Sequence, residues 1–132
     1  MSFRYSIDKD RFLAFVEIYE APDNDSAAGF LTSFRQDPEL APQMPVLVDA
    51  STLTEMSMTR EGFSELIDIL EATDTAPGEA RTAIVVSKTG LAVMADLFAS
   101  SVENRGLRHK FRTFYDAGDA VAWLEETEVS AL

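Results

Sequence analysis

Phe3, Tyr5 and Ile7 alternate with Arg4, Ser6 and Asp8 at the start of the chain. That period of two predicts a half-buried strand. Asp8-Lys9-Asp10 reads as a turn, and Arg11 to Tyr19 as a second strand pairing with the first in a hairpin. The pattern then changes to a period near 3.6. Ala27, Phe30, Leu31 and Phe34 fall at i, i+3, i+4 and i+7 and mark one face of a helix. Asp25 or Ser26 is placed to cap it, and Asp37-Pro38 ends it. A loop with prolines 38, 42 and 45 follows.

Val46-Leu47-Val48 and Ala83-Ile84-Val85-Val86 are continuous apolar runs, the pattern of strands covered on both faces. Between them, Phe63, Leu66, Ile67 and Leu70 give a second helix, with Ser57 or Thr59 as its cap and Thr75-Ala76-Pro77-Gly78 as its break. Ser87-Lys88-Thr89-Gly90 turns the chain into a third helix carrying Leu91, Met94, Ala95, Phe98 and Val102, and Arg105-Gly106 stops it. Leu107 to Tyr115 reads as a strand with Arg108, Lys110 and Arg112 on one side. Asp116 caps a last helix with Ala117, Ala120, Val121 and Leu124 as its inner stripe and Trp123 beside it. The order ββαβαβαβα predicts a single α/β domain. It has a mixed, mostly parallel five-stranded sheet, about four helices, and Phe3 to Ile7 antiparallel at one edge.

The totals narrow the function. At 132 residues the chain suits one domain able to bury a core unaided. It has no cysteine, which removes disulfides and thiolate metal sites and fits a reducing, cytoplasmic setting. Against 23 Asp and Glu stand 11 Lys and Arg, a net charge of −12 that repels phosphate backbones and anionic lipid. Nothing approaches the about 20 apolar residues of a membrane span, and the opening MSFRYSIDKDRF lacks the apolar stretch of a signal peptide. There is no Walker A loop and no G-x-G-x-x-G. Fragments such as Ser6-Ile7-Asp8-Lys9 and Lys88-Thr89-Gly90 match two motifs of penicillin-binding enzymes, but the third is missing and the chain is far too short. No catalytic residue, cofactor or metal site is expected.

Candidate sites fall into two groups. In open α/β sheets ligands bind beyond the carboxyl ends of the strands. That rim would hold Asp49, Ser51, Ser57, Thr59, Ser87, Lys88 and Thr89. Asp49 can accept from a ligand or close its own turn, and the turn is the preferred reading. The second group is Val93, Met94, Leu97 and Phe98, which make the third helix apolar over a wide arc and suggest a pocket or a dimer face. His109, the single histidine, reads as a structural or edge-strand residue. The basic cluster Arg105, Arg108, Lys110 and Arg112 reads as pairing with the chain's own carboxylates or as protection of an edge strand.

Taken together, the opening hairpin, the strands Val46-Leu47-Val48-Asp49 and Ala83-Ile84-Val85-Val86, and the helix with Met94, Leu97 and Phe98 resemble the SpoIIAA-like branch of the STAS family. The ending Arg112-Thr113-Phe114-Tyr115-Asp116, then Asp119-Ala120-Val121-Ala122-Trp123-Leu124, is the most characteristic piece. That family is distantly related to SEC14-type lipid-binding domains. The resemblance implies a non-enzymatic module that binds a protein partner or a second copy of itself. The SEC14 kinship implies a site for a small apolar or amphipathic ligand instead. Regulatory members carry a phosphorylated serine in an Asp-Ser-Ser-Gly-like turn. Here Ser57 stands at the Asp, Met58 stands at the serine, and the glycine is missing, which leaves Ser57 or Thr59 as substitutes.

Overall fold

The computed structural model describes residues 2–41, 43–55, 57–73, 80–107 and 109–126. The elements are β1 (Phe3–Asp8), β2 (Leu13–Ile18), α1 (Asn24–Arg35), β3 (Val46–Asp49), α2 (Arg60–Thr73), β4 (Ala80–Val85), α3 (Thr89–Asn104), β5 (His109–Phe114) and α4 (Ala117–Leu124). This is the order that the periodicity predicts. The sheet runs β1-β2-β3-β4-β5, with β1 antiparallel to β2 and the other pairs parallel.

A sheet ordered by sequence has a simple consequence. The three parallel crossovers all advance in one direction, so one handedness puts α1, α2 and α3 on the same face. The opposite face is left to α4. Alternation then sorts the strands. Leu13, Leu47, Ala83 and Val85 pack against Ala120 and Leu124 of α4. Ala14, Val16, Val46, Val48, Thr82, Ile84 and Phe111 look the other way, as the register Ala14, Val46, Thr82, Phe111 across the sheet requires. Arg81 ties α4 down, donating from Nη1 to the Trp123 carbonyl at 2.8 Å with its guanidinium 5.1 Å from the indole centroid.

Several boundaries differ from the sequence reading. β2 begins at Leu13, because residues 9–12 form the hairpin turn, where Asp8 Oδ1 accepts from the backbone N–H groups of Asp10 and Arg11 and Phe12 sits at φ 53°. The cap of α1 is Asp23, not Asp25 or Ser26. Asp23 accepts from the Ser26 N–H, and Ser26 Oγ accepts from the Asp23 N–H in return, a capping box. Asp116 caps α4 as expected, and Gly106 takes φ 72° after α3, where a side chain is strained. The break at Thr75-Ala76-Pro77-Gly78 lies outside the described residues.

Two carboxylates that flank α1 are held by hydrogen bonds. Asp23 is held below the usual carboxylate range by the Ser26 N–H and then the Ser26 hydroxyl. Asp37, just beyond the helix, is lowered by the Tyr5 hydroxyl and then by the Glu39 N–H. Their contribution is present above about pH 3.9, the ordinary value, and is lost as pH falls through the lowered folded values. Melting temperature should therefore drop on acidification below about pH 4, and less steeply in Asp37→Asn. A pH series of thermal melts from 7 to 2.5 checks this. Parallel curves would remove Asp37 from the acid response.

Candidate functional site

On the α4 face the central-strand residues Leu47, Ala83 and Val85 are buried. On the face under α1–α3 the central strand residues Val48 and Ile84 are only half-buried, although helices cover them. The cause is a cavity of about 180 Å3 between the sheet and these helices. Its floor is Val16, Val46, Val48, Thr82, Ile84 and Phe111. Six of the nine phenylalanines and two of the five methionines line it.

The aromatic lining forms two walls. On the β1 side, Phe3 stacks on Phe30 at 4.4 Å between centroids, and Phe30 stacks on Phe34 at 5.6 Å. On the β5 side, Phe98 meets Phe111 edge-on at 5.1 Å and Phe63 at 5.8 Å, and Phe111 stacks on His109. These spacings suit favourable ring pairs. Met58 and Met94 complete an adaptable surface.

The covering helices are clipped to one another. At one end Asn24 Nδ2 donates to Thr59 Oγ1 at 2.8 Å, and the Thr59 N–H donates to Asn24 Oδ1 at 3.0 Å. Thr59 Oγ1 also accepts from the Gly62 N–H, which makes Thr59 the cap of α2. At the other end Arg35 donates from Nε to Thr73 Oγ1 at 3.1 Å and from Nη2 to the Thr73 carbonyl at 3.2 Å. Arg105, the residue after α3, reaches Asp68 and Glu71 of α2, the self-pairing expected of the basic cluster. Arg108 lies outside the described residues. Helices clipped this way need not collapse onto the floor.

Among the described residues, polar groups in the lining are few and lie at one end. They are Arg35 at the end of α1, Thr82 near the start of β4 and His109 at the start of β5. Thr82 and His109 are both 5% exposed, with Thr82 Oγ1 and His109 Nε2 2.8 Å apart. Among the described residues no carboxylate lines the cavity.

The rim residues singled out from sequence lie elsewhere. Asp49 Oδ1 accepts from the Ser51 N–H at 3.0 Å and from Ser51 Oγ at 2.6 Å, so it closes its own turn. Ser87 Oγ donates to the Ser51 carbonyl, which joins these three into one network. Thr59 is engaged with Asn24 on the α1–α2 side, whereas Ser57, Lys88 and Thr89 are exposed. Lys88 makes no side-chain cap of α3. The rim rule rests on a crevice where strand order reverses. This sheet never reverses, so the rule has no crevice to point at. The four residues of the α3 arc divide: Met94 and Phe98 line the cavity, while Val93 and Leu97 face outward at 53% and 64% exposure.

Arg35 and His109 were not among the residues picked as a site from sequence. A signal existed for Arg35. It falls at i+8 from Ala27 and so continues the apolar stripe of α1 with a cation. Among the described residues no cluster of His, Asp or Glu is placed to hold a metal ion, and no helix is long and apolar enough to cross a membrane.

No protein-family profile matches the chain, and no curated protein matches it. Among solved structures it is similar to an uncharacterized DUF3478-family protein with a SpoIIAA-like fold from Shewanella loihica PV-4. The two share 16% identity and a TM-score of 0.60, over 93% of this chain and 94% of that one. At that identity the likeness speaks for architecture alone, and on it the chain has a SpoIIAA-like α/β fold.

Proposed function

We propose that this protein is a binding domain for a small apolar or amphipathic molecule, held in the cavity between the sheet and α1–α3. The observation that carries the reading is the half-exposure of Val48 and Ile84 into an apolar, phenylalanine-lined space of about 180 Å3. Ligand sites are apolar concavities with a few placed polar groups. The size sets the ligand. Drug-sized pockets run about 300–1,000 Å3, whereas an apolar cavity of about 150 Å3 takes a benzene ring. This space therefore suits one ring or one chain of about six to eight carbons, and excludes a two-chain lipid.

A series of n-alkanols from butanol to dodecanol, titrated by calorimetry, tests the reading. Each added methylene is worth about 0.8 kcal/mol, so affinity should rise about fourfold per carbon and level off near eight. Val48→Phe, which fills the floor, should abolish binding while circular dichroism stays unchanged. Absence of binding, or a rise without a ceiling as in surface partitioning, would overturn it.

The other reading is a module for a protein partner or a second copy, regulatory in role. Its support is the exposure of Val93 and Leu97, one helical turn apart on α3. Stable interfaces bury about 800 Å2 per partner, far more than two side chains supply. It ranks second for that reason. Native mass spectrometry separates the two through subunit count and retained mass.

A further inference from the structure

We infer that this cavity selects an unbranched aliphatic chain by its length, with Ala50, Leu53 and Leu91 as the stop against which the chain's end rests. The inference rests on the binding role proposed above and adds the ligand's shape, its direction and the residues that measure it.

The first observation is the outline of the floor. Along β4 the residues facing the cavity are Thr82 and Ile84, and Val86 follows on the same side. Four residues of strand cover about 13 Å. A volume of about 180 Å3 drawn out over that length is a slot for one straight chain. The second is the contrast between the ends. At the strand starts the lining holds Arg35, Thr82 and His109, with Thr82 Oγ1 and His109 Nε2 2.8 Å apart. At the strand ends it holds Pro22, Ala50, Leu53, Val86 and Leu91, all apolar and none more than 6% exposed. A polar group costs more to bury at the apolar end, so the tail of a chain points there. The third is the stiffness of that end. Ala50 and Leu53 sit on the turn after β3. The Leu53 N–H donates to the Ala50 carbonyl at 3.1 Å, and the Ala50 N–H donates to the Val85 carbonyl at 2.8 Å. Ser87 Oγ donates to the Ser51 carbonyl at 2.6 Å, which ties the same turn to the residues after β4. Ala50, Leu53, Val86, Leu91 and Ala92 form one buried cluster there. A packed wall does not yield to an extra methylene, so it turns a preference for long chains into a limit.

The test is the n-alkanol series, titrated by calorimetry on the wild type and on variants at the two ends. The wild type should level off near eight carbons, and a branched octanol isomer should bind at least tenfold weaker than 1-octanol. Leu53→Ala removes three carbons from the stop, so its ceiling should move to about eleven, with decanol at least tenfold tighter than octanol. Ala50→Val adds two carbons, so its ceiling should fall to about six. Leu70→Ala removes the same three carbons one helical turn before Thr73, beside Arg35. It should lower affinity throughout the series and leave the ceiling near eight. A ceiling unmoved by Leu53→Ala and Ala50→Val would overturn the stop and leave the cavity reading standing. A ceiling that moves with Leu70→Ala instead would overturn the direction, and equal binding of the branched isomer would overturn the straight chain. A wild type that binds none of the alcohols, or shows no ceiling, would overturn both inferences. Leu91→Val removes one carbon and should raise the ceiling by one, which decides the matter if the larger changes fail to fold.

Discussion

Leu47→Ala should cost about 2–5 kcal/mol and Ile84→Ala only about 1–2, although both remove a branched side chain from a central strand. Leu47 looks toward α4 and is buried among Leu13, Ala83, Val85, Ala120 and Leu124. Its removal leaves a new hole in close-packed surroundings, and the cavity adds to the lost transfer energy. Ile84 looks toward α1–α3 and is half-buried, with the existing cavity on its outer side. The atoms removed there already lack partners on one side, so less is lost. Denaturant titration of the two variants gives the comparison directly. Equal costs would mean that the space above Ile84 is filled in solution, and the binding reading would fall with it. For a domain whose whole stability is about 5–15 kcal/mol, the Leu47 variant should lose a large share of it.

The same asymmetry shows why the fold was legible and the site was not. Val46-Leu47-Val48 and Ala83-Ile84-Val85-Val86 read correctly as doubly covered strands, with Val86 one residue past the end of β4, and the helical stripes read correctly as faces. An apolar run does not tell which neighbour packs tightly. Leu47 and Val48 are alike as letters, yet one meets α4 and the other a void. Whether a helix settles onto the floor depends on how the helices hold one another. Here that means Asn24 with Thr59 and Arg35 with Thr73, pairs 35 and 38 residues apart. No local pattern reports such pairs. Met94, Leu97 and Phe98, with Val93 on a neighbouring face, make a wide apolar arc whose letters do not say where the inside ends, and the structure splits it between the inside and the outside. Asp49 was legible because an Asp after a strand satisfies its own turn through short-range bonds to Ser51.

The second large effect is a change of sign. Gly62→Ala should destabilise the protein by about 1 kcal/mol, whereas the same substitution should stabilise it by about 1 kcal/mol once Asn24 is Ala. Ala is the better helix former by about that amount, so in isolation it would be favoured within α2. Yet a Cβ on Gly62 would stand 2.0 Å from Asn24 Oδ1 and 2.4 Å from Asn24 Cγ. Asn24 must then swing away and give up both bonds to Thr59, each worth about 0.5–1.5 kcal/mol. With Asn24→Ala the obstructing amide is gone, the bonds are already lost, and only the propensity gain remains. The cycle of wild type, Asn24→Ala, Gly62→Ala and the double variant should yield a coupling of about 2 kcal/mol. Additive values would mean that the amide has another rotamer at no cost and that α1 and α2 are not latched there. The latch also bears on binding, because α1 and α2 supply Phe30, Phe34 and Phe63 to the lining. A glycine that lets two helix starts meet through one asparagine holds that wall in place from outside the cavity. Gly62→Ala should accordingly weaken ligand affinity without altering the order of affinities along the chain-length series.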